Sequence, residues 1–518
     1  MTVLWQGRRP IERYQGGVVQ WRRPVLKYVL PTAAAALLGI LVVVPSGYVP
    51  LLAVGAAGWL LFWTLRWRAA LAALFLFLPV AAVPGLLLQQ QGWPTLLKDG
   101  LFLLPLYAGF SLAVMRDRSF KWSFPASLSI PLAGLALVVV IEAARLITSD
   151  PLVALIGLRS WLLYVPLILV PAVAFSSIAQ VQRFIRLLVL VSLIPAVVGL
   201  AEFALVASGH SDLAYRWYGD LGFYASQGYA QVGISDQILV QRVPSTFTFV
   251  TQFVAYCLVM VPLCLVAWAS DPDVRWRRIA ALASVMIIAA GFTCGSRTFY
   301  LWGPIEISLM LLLNRRIRPA LSKTILITGT ALALAVGSQL VQIATFISGL
   351  GWDYLRTHAA ELQMVYGEVG LLGVGAGMGT NGSRYVLASH ELPFRIEGWY
   401  GLTFLELGLA GLILIAIIWG VLLRRAWTGM RVSRRTTAED LAVATFVILL
   451  CSVVNLIKGL SLEYDPLNVY FWLIAGLALA LPQWAIDASA PGREVSEPRN
   501  RFIRSNPEVP GLLPTGTP

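Results

Sequence analysis

The sequence predicts an all-α, polytopic integral membrane protein of about 12–14 transmembrane helices with a large extracytoplasmic loop. Of its 518 residues 58% are hydrophobic and 13% are charged, whereas a soluble domain carries about 25% charged residues. Apolar runs of roughly 18 residues, the length that crosses a bilayer as a helix, recur along the chain. The ten-residue alternating segments of a membrane β-barrel are not evident, so helices are the expected spanning form.

Three regions follow from this pattern. Residues 1–27 carry six basic side chains and no cleavable signal pattern, which predicts a cytoplasmic N-terminus. Residues 28–486 form the transmembrane domain, and the polar segment 487–518, rich in Pro, Arg and Glu, predicts a disordered cytoplasmic tail. The candidate spans lie at about 28–45, 48–65, 69–88, 100–115, 126–143, 160–175, 186–206, 247–269, 279–295, 299–313, 324–346, 399–423, 440–457 and 468–485.

The basic residues orient these spans. Fourteen crossings place 29 of the 39 lysines and arginines on the cytoplasmic side, as the positive-inside rule requires. The net charge of +13 is therefore attributed to topology, and no nucleic-acid partner is predicted. The same orientation places loops 207–246 and 347–398 outside. The four cysteines fall in apolar runs without a CxxC pair, so neither disulfides, a metal site nor a cofactor is predicted.

Four arginines near the outer boundary are candidates for binding an anion. Arg297, in GFTCGSRTFYL, and Arg242, in QRVPSTFTFV, approach the outer surface from different segments, and planar guanidinium groups match phosphate oxygens well. Arg159 is a further candidate, and Arg356 begins an amphipathic helix with Ala359, Leu362 and Tyr366 on one face. The alternative for each boundary arginine is a snorkelling contact with lipid.

Two residues are candidates for a general base. Glu397 opens a span, where partial burial would favour proton uptake from a hydroxyl, although a carboxylate there also favours the helix dipole. His390 precedes it in the loop. Glu406, further into the span, is expected to pack against polar neighbours, and the glycine-rich run from Gly373 to Gly379 is interpreted as a flexible turn. Aromatic residues in loop 207–246 predict an interfacial belt or a sugar-stacking platform.

The ordered set of segments RVPSTFTFVTQFVAY, GSRTFYL, WDYLRTHAAELQMVYGEVGLLGVGAGMG and EGWYGLTFLELGLAGLILI, over residues 240–420, resembles the O-antigen ligase and O-antigen polymerase superfamily of bacterial membrane glycosyltransferases. The resemblance implies transfer of a glycan from an undecaprenyl-pyrophosphate carrier to a glycan or lipid acceptor at the outer face of the inner membrane, without a metal. It also implies that Arg242, Arg297 and Arg356 hold the pyrophosphate. Ligases commonly carry His-Asn where this chain has Glu397-Gly398, which leaves polymerase activity open.

Two other classes of function remain open at this stage. A transporter or flippase for lipid-linked glycans would share the many spans, but such proteins usually show repeats and helices broken near the midplane. A non-catalytic component of a polysaccharide export complex is the third class. The candidate site arginines and Glu397 are predicted at the outer boundary and not at the midplane, which favours an enzyme.

Overall fold

A computed structural model describes residues 49–88, 96–116, 124–216, 231–235, 238–314, 356, 359–367, 369, 371–386 and 396–489. Helices dominate these residues, because long apolar sequences satisfy their backbone hydrogen bonds internally in this form. In chain order the α-helices are α1 (Val49–Leu65), α2 (Trp67–Phe77), α3 (Val83–Leu87), α4 (Leu104–Arg116), α5 (Ala126–Leu146), α6 (Pro151–Leu162), α7 (Val170–Ala174), α8 (Ile178–Ala207), α9 (Ser211–Arg216), α10 (Val250–Ser270), α11 (Val274–Thr293), α12 (Arg297–Leu313), α13 (Trp399–Val432), α14 (Glu439–Asn455) and α15 (Leu467–Ser489).

Eight helical segments among the described residues are long and apolar enough to cross a membrane, which confirms a helical architecture compatible with a multi-pass membrane protein. They are Asp99–Arg116, Ala126–Leu146, Pro151–Ala174, Ile178–Ala207, Val250–Ser270, Val274–Thr293, Trp399–Val432 and Leu467–Ile486. A ninth candidate is the pair Val54–Leu65 and Trp67–Val80, bent by 109° where two separate spans were predicted. The predicted spans 299–313 and 440–457 are the 17-residue helices α12 and α14. The predicted spans 28–45 and 324–346 lie outside the described residues.

Helix α10 forms the centre of the bundle. In the apolar 18-residue stretch of α10, 83% of the residues are buried, whereas the share is 33% in the corresponding stretches of α5 and α11. It packs against α8, α11, α12, α14 and α15. A helix that is apolar around its whole circumference is expected at such a central position, whereas the outer helices leave one face for lipid.

The outer loop predicted at 207–246 contains the short helix α9 and an antiparallel hairpin of β1 (Gln231–Ser235) and β2 (Ile238–Gln241). Val232 lies opposite Val240 in its register. The β-branched residues of QVGIS and ILVQ favour extended backbone. The hairpin was not predicted, because the loop was assessed for its aromatic residues and not for its strand propensity. It delivers the chain directly to Arg242.

One end of the bundle, the basic end, contains the helix termini that were predicted on the cytoplasmic side because of their basic residues. Asp271 after α10 accepts hydrogen bonds from Nε and Nη2 of Arg186 in α8, both at 2.7 Å. Nη2 of Arg425 in α13 donates to Ser127 at the start of α5, at 3.2 Å. These contacts join segments that the predicted topology assigns to the same side.

The opposite end, here called the loop end, gathers the segments that were predicted outside. Nη1 of Arg145, at the end of α5, donates to the carbonyl of Gly373 at 2.8 Å and to Oε2 of Glu142 at 2.6 Å. Residues 371–386, 396–398 and 456–466 also lie at this end. The separation into two ends agrees with the predicted alternation of the spans, and the candidate site lies at the loop end.

Candidate functional site

The structure brings Arg242 and Arg297 together at the loop end. Arg242 follows β2, and Arg297 is the first residue of α12. The backbone N–H of Val243 donates to the carbonyl of Cys294 at 3.1 Å, which joins the two arginine-bearing segments. Both side chains are half-buried. Burial, and then the positive charge of Arg297, lowers the pKa of Arg242 from its usual value.

The turn after Arg242 is anchored inside the bundle. Ser245 has a φ of 56°, an uncommon value for a residue other than glycine. Its N–H donates to Oε2 of Glu202 at 2.9 Å, and its hydroxyl donates to the carbonyl of Pro195 at 2.6 Å. The hydroxyl of Thr246 donates to the carbonyl of Pro79. Three buried hydrogen bonds therefore fix the backbone that presents Arg242, and none of the residues that form them was singled out from the sequence.

Arg159 belongs to a different cluster of charges. Its Nε and Nη2 atoms donate to Oδ2 of Asp99 at 2.9 and 2.7 Å. Lys98, which is 1% exposed, forms ion pairs with Asp99 and with Asp465, each at 2.9 Å. The hydroxyl of Tyr164 accepts from Lys98 at 2.8 Å and from Arg159 at 3.0 Å. Arg159 was predicted to join the anion-binding arginines, but its guanidinium group lies in this buried network of two cations and two carboxylates.

Glu406 in α13 organises the glycine-rich run. Its carboxylate is fully buried and accepts four hydrogen bonds: from Nε1 of Trp161 at 2.6 Å, from the N–H groups of Gly377 and Gly379 at 2.9 and 2.8 Å, and from the hydroxyl of Thr380 at 2.9 Å. The expectation of polar neighbours for Glu406 is confirmed. The run forms a turn, as predicted, and its backbone is packed around this carboxylate.

Helix α13 is interrupted beside that run. Gly408 has a φ of 64° and a ψ of −165°, which end the regular hydrogen bonding of the helix. The freed groups find partners in the preceding loop: the N–H of Leu409 donates to Leu371 at 3.0 Å, and the carbonyl of Leu405 accepts from Val374 at 2.9 Å. A Cβ at position 408 would lie 2.5 Å from the carbonyl oxygen of Leu371, so glycine is required by space as well as by φ.

The predicted amphipathic helix is present over residues 359–367, and Leu362 of its predicted apolar face packs against the core. Ala359 and Tyr366 are exposed, whereas Glu361 and Val365 are buried. The ring of Tyr366 nevertheless stacks on that of Phe404, with centroids 6.4 Å apart. The helix therefore docks on α13 through a carboxylate, which apolar periodicity alone could not indicate.

The structure describes little of the predicted site residues Arg356 and His390. Arg356 has helical backbone and an exposed side chain. Its predicted role in anion binding stays a prediction. His390 lies outside the described residues.

Glu397 lies in the bridge, the short segment of residues 396–398 that leads into α13. Oε1 of Glu361 accepts the N–H groups of Glu397 at 3.1 Å and of Gly398 at 3.2 Å. The N–H of Trp399 donates to the carbonyl of Leu456 at 3.0 Å. The backbone is thus held, but the Glu397 side chain is exposed. The predicted partial burial of this carboxyl group is wrong, because the neighbouring aromatic residues turn into the bundle while Glu397 faces outward.

The segment 456–466 links these parts. The side chain of Glu463 accepts from the backbone N–H of Asn381 and, at 2.8 Å, from Nδ2 of Asn381. The ring of Tyr464 lies 6.4 Å from that of Phe249, which follows the Arg242 turn. The segment therefore contacts Asn381 just after the glycine-rich run, Phe249 just after the Arg242 turn and, through Asp465, the Lys98 cluster. The polar tripeptide Glu463–Asp465 between two spans was the signal that sequence reasoning overlooked.

Among the described residues no group of three or more His, Cys, Asp or Glu side chains is arranged to hold a metal ion. The four cysteines are buried thiols. The chemistry that the described part of the site supports is anion binding by the guanidinium groups of Arg242 and Arg297.

Comparison of the chain with models of known protein families and with curated protein sequences finds no match. The function is therefore argued from the site itself.

Proposed function

We propose that the protein is a membrane glycan transferase that moves a glycan from an undecaprenyl-pyrophosphate carrier to an acceptor hydroxyl at the loop end. The observation that carries the proposal is the adjacency of Arg242 and Arg297. Two like charges held close together repel each other, and an anion between them relieves the repulsion. A pyrophosphate offers oxygens to both guanidinium forks and needs such charge stabilisation as it leaves.

We assign the binding of the lipid chain to the outer helices, and the activation of the acceptor to Glu397 in the bridge. The lipid part of the carrier lies among the exposed apolar side chains of the outer helices. Glu397, on its fixed backbone, takes the proton of the acceptor hydroxyl, whose oxygen forms the new glycosidic bond as the bond to the pyrophosphate breaks. The resemblance of residues 240–420 to O-antigen ligases and polymerases supports this assignment, and it implies a location at the outer face of a bacterial inner membrane.

The arginine pair is tested by Arg297→Lys in protein reconstituted with an undecaprenyl-pyrophosphate-linked glycan and a glycan acceptor. Lysine keeps the charge but loses the fork. Loss of one charged hydrogen bond costs about 1.5–3 kcal/mol, so we expect turnover to fall roughly 10- to 100-fold with expression unchanged. The control is Arg145→Lys, at the same end of the bundle but paired with Glu142. Equal activity of both lysine variants would contradict the assignment.

The proposed base is tested by Glu397→Gln and His390→Ala. Removal of a general base lowers turnover about 10²- to 10⁴-fold. We expect that loss for Glu397→Gln, with donor binding retained, and a much smaller effect for His390→Ala. The reverse order of effects would assign the base to His390. The product separates the two reactions: a size ladder on the carrier lipid indicates a polymerase, and transfer to a new acceptor indicates a ligase.

A transporter of lipid-linked glycans is the second candidate, and the interruption of α13 at Gly408 is the observation in its favour. The 24 residues of α13 after Gly408 span about 36 Å as a helix, enough for a hydrocarbon core of roughly 30 Å. The interruption then lies towards the loop end and not at the midplane, which favours the enzyme. Movement of the labelled lipid between leaflets without bond cleavage would establish transport instead.

A further inference from the structure

The side chain of Glu397 is exposed, but the backbone N–H groups of residues 397–399 all donate to residues that are distant in the sequence. Ile396, before it, is 5% exposed, and Trp399, after it, is 6% exposed. Between these two buried anchors the N–H groups of residues 397 and 398 donate to Glu361, and that of residue 399 donates to Leu456.

Glu361 supplies this support from another segment. It is 8% exposed, and it lies on the helix at 359–367, not on α13. The residue at the N-cap of α13, Gly398, has no side chain to cap the helix. A carboxylate at a helix N-terminus is favoured by the helix dipole and by the N–H groups there. A Cβ on Gly401 would lie 2.6 Å from Oε1 of Glu361, so this carboxylate rests directly against the first turn of α13.

Two further contacts make the docking of this helix specific. Val365, one turn after Glu361, is fully buried. The ring of Tyr366, the next residue, stacks on that of Phe404 and holds the same helix against α13 about one turn after Gly401. The carboxylate is thus delivered to the bridge by a packed helix and not by a free loop.

We infer that Glu361 is a positioning residue that fixes the Glu397–Gly398 backbone and thereby sets the direction of the Glu397 carboxylate. The inference rests on the proposed function for its catalytic consequence. Glu361 itself touches no reacting atom. Positioning matters because misplacement of a reacting group by about 1 Å can lower turnover about 100-fold.

The test compares Glu361→Ala with Glu361→Gln in the full-length protein. Alanine removes the acceptor of both N–H groups, whereas the amide oxygen of glutamine can still accept them. Backbone hydrogen exchange is measured over residues 396–402, and turnover and KM are measured with an undecaprenyl-pyrophosphate-linked glycan as donor. Gln363→Ala, an exposed position on the same helix, is the matched control.

For Glu361→Ala we expect faster exchange in this peptide and a fall in kcat of about 10- to 100-fold, with the donor KM unchanged. Glu361→Gln and Gln363→Ala should keep slow exchange and near-normal kcat. Unchanged exchange in Glu361→Ala overturns the inference, and so does faster exchange with unchanged kcat. A wild-type protein that transfers no glycan overturns the proposed function, whereas the exchange measurement still decides whether Glu361 holds the bridge.

Discussion

Replacing Glu406 with glutamine changes one buried oxygen into an NH₂ group and tests how the loop end is held together. The carboxylate accepts four hydrogen bonds, two at each oxygen. The amide keeps one oxygen and turns an NH₂ group towards the other two donors. Each hydrogen bond to a charged group contributes about 1.5–3 kcal/mol, so two lost bonds cost roughly 3–6 kcal/mol. Relief of the desolvation of a buried charge offsets part of this, and we expect a net destabilisation of about 2–4 kcal/mol.

The assay is thermal unfolding of the detergent-purified protein, monitored by size-exclusion chromatography. Tryptophan fluorescence is a second probe, because Trp161 donates to this carboxylate. A loss of this size should lower the midpoint by roughly 5 °C or more. Glu397→Gln, the same substitution at an exposed position two residues before α13, is the matched control and should leave the midpoint within about 1 °C. If the two variants melt together, Glu406 does not organise the glycine-rich loop.

Two further predictions concern the orientation and the basic end of the bundle. A single cysteine at Val386, which is exposed at the loop end, should label with an impermeant maleimide from outside. A single cysteine at Thr437, which is exposed at the basic end, should label only after permeabilisation. The native thiols are buried and should not interfere, and the opposite labelling pattern would reverse the topology and remove the proposed function. For the ion pair of Arg186 and Asp271, a double-mutant cycle of Arg186→Gln and Asp271→Asn, followed by the same unfolding assay, should give a coupling of about 0.5–3 kcal/mol; strictly additive effects would show that the pair contributes nothing.

The helical spans and the alternation of their ends were accessible from sequence, because apolar length and the position of basic residues act locally. The segments carrying Arg242 and Arg297 were singled out for the same reason: an arginine between apolar runs stands out without knowledge of its neighbours. The structure adds that the two segments are hydrogen-bonded to each other through Val243 and Cys294.

What sequence could not show were the carboxylates that hold the site. Asp99, Glu202, Glu361, Glu406 and Asp465 all find partners far away in the chain. A buried acid looks the same as an exposed one until its donors are known, so no role was predicted for Glu361, and Glu397 was expected to be partly buried. Periodicity ranks side chains by apolarity and cannot recognise a helix that docks through a charge.

The interruption of α13 at Gly408 has a consequence for the order in which the chain assembles during synthesis. The backbone groups released there are satisfied by Leu371 and Val374, which leave the ribosome before Gly408 does. The loop and the first part of α13 can therefore close as one local hairpin as soon as both have emerged. The segment 456–466, α14 and α15 are still to be made at that moment, so they meet a loop end whose most demanding backbone contacts are already formed.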